Sequence, residues 1–324
     1  MGLPQADRRA LSEQPDQHPG GSDVACGCHG PTLICWGTAS PGDPVQVWPA
    51  GHALGEWAVV RIHKSDVMIR SVCDWLEHAP PKRGLTHWVD GRSAKELAKA
   101  WFPVEGDPQV PPELKSLLDS REDTRGIVFD EGEPERAVVF DGCGGEPRNA
   151  DLVLWGRMPG GKVLVSIEAK ADEPFGDIAG EYVRQSIARN PRTRIPERFS
   201  LLCQRVLGVD ADNGEALTLR YQLLTAVAGT LADAASRGAE TAVFVVHEFI
   251  GMTDDGKVDA NAADLNRLVK LLSRGSIDAI SPGTMAGPFE VSGNEHFAGT
   301  ERLFIGKCRR ILDAAACQSP DRRT

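Results

Sequence analysis

What the chain lacks narrows it first. No apolar run approaches the length of a membrane span, and the N-terminus has no basic-then-apolar leader, so the expected location is the cytoplasm. No glycine-rich loop of dinucleotide or P-loop spacing occurs, which leaves nucleotide-driven function without support. No internal repeat is present, and no serine or cysteine nucleophile stands with a convincing base. Basic excess is missing as well: the net charge is -10, which argues against broad attraction to nucleic acid through overall charge. Any polyanion-binding surface must therefore concentrate its positive charge locally.

Cysteines number eight, and most sit in apolar or mixed contexts without paired spacing, as in a reduced protein. Cys26, Cys28, His29 and Cys35 offer four soft ligands within ten residues. Structural zinc sites pair their ligands around a longer loop, so zinc is not expected.

What is present is an ordinary globular composition, 41% hydrophobic and 25% charged over 324 residues. Residues 1–65 read as a disordered extension, because fourteen of the first fifty are Gly or Pro and no periodicity is sustained. Residues 66–312 read as one α/β domain, a mixed central sheet flanked by helices, and 313–324 as a tail.

Within that domain, apolar spacing predicts helices over 68–77, 93–102, 114–119, 177–188, 199–207 and 217–236. Ser93-Ala94-Lys95-Glu96 reads as a capping box, and Asp177 and Asn261 as N-caps. Strands are expected at 126–129 and 137–141, around an acidic turn at 130–134, and at 241–249 and 301–307. The continuous apolar run TAVFVVHEF predicts a strand covered on both faces. His247 near its end reads as a core histidine. The stretch 277–287 reads as loop.

The most informative segment is NADLVLWGRMPGGKVLVSIEAKADEPFG, residues 149–176. Two Val/Leu/Ile-rich runs flank a Pro-Gly-Gly turn, which predicts a hairpin of Asp151–Trp155 with Lys162–Ala171. Alternation puts Glu168 and Lys170 on one face of the second strand. Antiparallel pairing places Asp151 beside them. Two carboxylates and an ammonium suit Mg²⁺ or Mn²⁺, with Asp151 and Glu168 as metal ligands, the Ala169 carbonyl as a third, and Lys170 orienting and activating water.

Asp151 followed by Glu168-Ala169-Lys170 resembles the motif of the PD-(D/E)xK, restriction-endonuclease-like nucleases, with Ala150 where the family has its proline. The resemblance implies a mixed sheet between helices and Mg²⁺-dependent hydrolysis of DNA. It also implies an extra acid on a helix before the first strand, a role open to Glu96. The phrases GLTHWVDGRSAKELAKAWF, IEAKADEPFG and VFVVHEF resemble a bacterial domain family of unassigned function.

Further candidates surround this core. Glu173 stands three residues past Lys170, as a possible support for a second cation or a plain loop carboxylate. Gln185 and Arg184 lie off the apolar stripe of the helix that follows. Arg184, Arg189, Arg192 and Arg194 belong to a stretch with six arginines and one acid between Tyr182 and Gly208, a candidate nucleic-acid contact or a solvated face. A non-catalytic binding module on the same fold is the competing expectation.

Overall fold

The computed structural model describes residues 60–82, 84–251 and 256–312. The candidate zinc ligands, the 313–324 tail and nearly all of the 1–65 extension lie outside them. Eight strands form one mixed sheet in the order β2-β1-β3-β4-β5-β6-β8-β7. Their ranges are β1 (Arg61–Lys64), β2 (Val67–Met68), β3 (Val128–Val138), β4 (Arg148–Met158), β5 (Gly161–Lys170), β6 (Thr241–Ile250), β7 (Thr284–Phe289) and β8 (Arg302–Ile311). The expected start at residue 66 is therefore too late. Arg61 and Ile62 already pair in parallel with Glu131 and Gly132 of β3.

Side-chain alternation along β5 explains why helices cover both faces. Val163, Val165, Ile167 and Ala169 enter one apolar cluster, shared with α1 (Val72–His78), α2 (Ser93–Trp101) and α3 (Pro112–Asp119). Leu164 enters the other, shared with α4 (Ala179–Arg189), α5 (Ile195–Leu202), α6 (Gly214–Thr218), α7 (Tyr221–Arg237) and α8 (Lys257–Leu272). Each fully buried Val or Leu contributes about 1.5–3 kcal/mol. That is why the sheet's middle tolerates only apolar residues or tightly paired charges.

β6 is the best case of sequence dictating position. Its first nine residues are all buried, and it pairs in parallel with β5 on one side and β8 on the other. Helix α7 packs against β4, β5 and β6, and its small residues Ala226, Ala228, Gly229, Ala232 and Ala234 are all buried there.

Several local expectations are corrected. Residues 126–141 do not form two strands around a turn. β3 runs straight through Asp130–Pro134, and the acidic stretch is accommodated by a bulge between Phe129 and Glu131. Glu133 is neutralised in place by Lys64 and Arg136, so a strand can carry it.

Ser93 does not cap α2. The helix opens after Arg92 with no side-chain cap, and Glu96 reaches back to the Gly91 N–H at 2.8 Å. Met68 lies in β2, and the first helix begins after Ser71, whose hydroxyl accepts from the Asp74 N–H. Helix α4 starts at Ala179, two residues beyond the expected Asp177 cap. Asn261 sits inside α8, where its side chain donates to the Glu173 carbonyl at 2.9 Å. The expected 277–287 loop contains the start of β7.

Candidate active site

β4 and β5 form the antiparallel hairpin that the sequence predicts. Leu152 pairs with Ile167, so Asp151 stands directly opposite Glu168. The turn is tighter than expected, since strand pairing continues to Met158 and Gly161. Asp151 Oδ2 accepts from the Ala169 N–H at 2.7 Å, which fixes the carboxylate across the two strands. Its Oδ1 takes no hydrogen bond among the described residues.

Glu168 and Lys170 are nearly sealed, at 2% and 5% exposure. Lys170 Nζ donates to Glu168 Oε1 at 2.6 Å and lies 5.1 Å from the centroid of the Phe175 ring. Sequence reasoning missed two further partners of Glu168. Gln222, in the first turn of α7, donates from Nε2 to Glu168 Oε1 at 2.7 Å. Arg148, the first residue of β4, donates from Nη2 to Glu168 Oε2. Neither had a local signal: Gln222 meets Glu168 only because the chain crosses over and returns, and Arg148 reaches it within the same hairpin from three residues before Asp151.

A third acid joins the site from β3. Glu135 lies between Pro134 and Arg136, which pair with Leu152 and Ala150 on either side of Asp151. Its φ of 48° is unusual for a non-glycine residue, and the Lys64 ammonium holds the kink by donating to the carbonyls of Pro134 and Glu135 at 3.0 and 2.8 Å.

The electrostatics follow from this crowding. Burial, then repulsion from Glu168 and Glu135, pushes the Asp151 carboxyl well above its ordinary range. Burial likewise raises Glu135, to about 7. Burial would raise Glu168 too, but Arg148 and Lys170 outweigh it and keep Glu168 ionised. Burial would lower Lys170, yet Glu168, Asp151 and Glu173 together hold its proton more firmly than usual. A lysine so held orients anions and water; it does not accept a proton.

The whole arrangement lies within a recognised sequence family. The chain belongs to the family of a domain of unknown function (DUF6946), whose model matches residues 68–304. No curated protein and no solved structure matches the chain. The family segment contains every candidate site residue, while β1 and the last residues of β8 fall outside it.

The accessory candidates separate into those the fold brings in and those it does not. Glu173 acts on Lys170, and its Oε2 is buried with no hydrogen-bond partner. Glu96 is committed to Gly91 N–H and to Lys99 at 2.9 Å, and makes no hydrogen bond to the Asp151–Glu168–Lys170 group among the described residues. Gln185 accepts from Arg189 at 3.1 Å on the exposed face of α4. Arg184, Arg189, Arg192 and Arg194 are all exposed, and Arg194 is forked onto Glu197 at 2.5 and 2.7 Å. Arg198 leaves the expected cluster altogether, since it is buried against Asp141.

Among the described residues no group of three or more His, Cys, Asp or Glu side chains is arranged to hold a metal ion. Two carboxylates suffice for Mg²⁺, which keeps most of its waters. Asp151 and Glu168 fit that pattern chemically: hard oxygen donors from paired strands, with more negative charge nearby than the buried surroundings tolerate. Among the described residues no helix is long and apolar enough to cross a membrane.

Proposed function

We propose that the chain is a divalent-cation-dependent nuclease that hydrolyses phosphodiester bonds in DNA, on the plan of the PD-(D/E)xK enzymes. The observation that supports this best is the convergence of Asp151, Glu168 and Lys170 across one hairpin, with Asp151 held protonation-prone by neighbouring acids. Asp151 and Glu168 would hold Mg²⁺ or Mn²⁺, replacing the proton that the crowded carboxylates otherwise favour. When bound, the cation supplies neutralisation of the phosphate and acidification of water.

The chain's own groups do the rest. Gln222 and Lys170 fix Glu168 Oε1, while Arg148 takes Oε2. Lys170 keeps its proton and orients the phosphate or the attacking water. Arg184, Arg189 and Arg192, exposed on α4 and the loop after it, supply local positive charge for the DNA backbone on an otherwise acidic protein.

The test is plasmid and single-strand cleavage with Mg²⁺ or Mn²⁺, comparing wild type with Asp151→Asn. Cutting that requires the metal and disappears in Asp151→Asn supports the reading. Equal cutting by the variant, or none by wild type on any DNA or RNA substrate, sinks it. One observation favours a non-catalytic nucleic-acid or protein binding module instead: both oxygens of Glu168 already have protein partners. Binding by such a module survives EDTA.

A further inference from the structure

Arg148 is unexplained by any role so far assigned to the site. It is the only partner of Glu168 Oε2 among the described residues, so it occupies the oxygen that Glu168 would otherwise offer to a cation. Asp151 Oδ1, across the hairpin, takes no hydrogen bond among the described residues.

The guanidinium is not built in as a structural arginine usually is. Its Nε is buried without a hydrogen-bond partner, an unsatisfied donor that costs stability as it stands. Arg198 shows the contrast: its donors reach both the Asp141 carboxylate and the Glu146 carbonyl. Arg148's stem is accommodated by the absence of a side chain at Gly229 of α7, where a Cβ would lie 3.2 Å from Arg148 Cγ. Glu168 does not depend on Arg148 alone, because Lys170 and Gln222 retain Oε1. A partner that is half-satisfied and replaceable by another cation is suited to exchange.

We propose that Arg148 is a phosphate ligand held in reserve on Glu168: were Asp151 and Glu168 to hold a divalent cation, the Arg148 guanidinium would leave Oε2 and bind the substrate's phosphodiester. The proposal rests on the nuclease reading and deepens it. A planar fork of N–H donors matches phosphate geometry as well as it matches carboxylate, so the same group serves both partners in turn. The arrangement couples metal arrival to substrate binding without moving any strand.

The test follows two affinities in one variant. Mn²⁺ binding is measured by titration calorimetry, and short duplex DNA binding by anisotropy in Ca²⁺, for wild type and Arg148→Gln. Arg148→Gln should bind Mn²⁺ at least about tenfold tighter, because the competitor is gone, and bind DNA at least about tenfold more weakly. An arginine that only props up the site would, on removal, loosen it and lower both affinities. If both affinities fall together, or either stays at its wild-type value, the assignment of Arg148 is wrong while the nuclease reading stands. If neither protein binds Mn²⁺, both readings fall. Should Arg148→Gln not fold, Arg148→Lys keeps the charge at shorter reach, and the same opposed changes are required of it.

Discussion

Asp151 and Glu168 face each other across one hairpin yet should respond oppositely to loss of charge. The folded state raises the Asp151 carboxyl, so its stabilising share is present below its unfolded value and is lost as pH rises through the folded one. Asp151→Asn should therefore raise the melting temperature at pH 7. Glu168 is ionised and holds Arg148, Lys170 and Gln222, so Glu168→Gln leaves buried cations uncompensated and should cost about 3 kcal/mol. Thermal melts of the two variants check the contrast, and a stabilised Glu168→Gln would refute it. His247 offers a second residue-scale test. Its Nε2–H donates to Glu113 at 2.8 Å, while Nδ1 is buried with nothing to accept a proton placed there. Burial lowers the imidazole, and although burial would raise Glu113, hydrogen bonds from His247 and Arg310 bring that carboxyl down to about 2. Both groups stabilise above their unfolded values. Stability should thus begin to fall as pH drops below the ordinary histidine range, and Glu113 should add to the loss between about 4.5 and 2. In His247→Gln, which keeps a donor but does not titrate, the decline in melting temperature between about pH 7 and 5 should shrink. An unchanged decline would remove His247 from the account.

At the scale of single elements, the sequence exposed the hairpin and β6 because each depends on a local pattern: alternation around a Pro-Gly-Gly turn, and an unbroken apolar run. It hid β3 for an equally physical reason. Asp130–Pro134 has the composition of a turn, and partners distant in sequence, Lys64 from β1 and Arg157 from β4, help make those acids tolerable in a strand. The same separation hid part of the site. Asp151, Glu168 and Lys170 were legible from spacing, whereas Gln222 was not, because α7 returns to the sheet only after a long crossover, and Arg148, although it opens β4 itself, matches no position of the motif. The capping box failed for a subtler cause: Glu96 does reach backward as such a residue should, but to Gly91, and the Ser93 side chain makes no cap. The bulge in β3 makes its own demand on β4. A Cβ at Gly156 would lie 2.4 Å from the Val128 carbonyl oxygen and 3.1 Å from Phe129 Cα, contacts with backbone that cannot swing aside. Gly156→Ala should cost about 2 kcal/mol, read from denaturant midpoints. A neutral result would mean that the bulge slides freely.

Across the whole molecule, charge is arranged rather than abundant. A net charge of -10 coexists with four exposed arginines between 184 and 194, so any contact with a polyanion should be local and strongly salt-dependent. Replacing Arg184, Arg189 and Arg192 together by alanine should lower the slope of log affinity against log salt for DNA by about 3, with no change in melting temperature. An unaltered slope would place the DNA elsewhere. The parallel pairing of β5 with β6 carries a different consequence, one of time. About 70 residues, 171–240, lie between these neighbours, and closing so long a loop must precede any gain from their pairing. During synthesis, at about 5–20 residues per second, the β4–β5 hairpin leaves the ribosome several seconds before β6 exists to cover its edge. Glu168 and Lys170 are thus born wet, pair as an exposed surface couple, and become a sealed site only when α7 and β6 arrive.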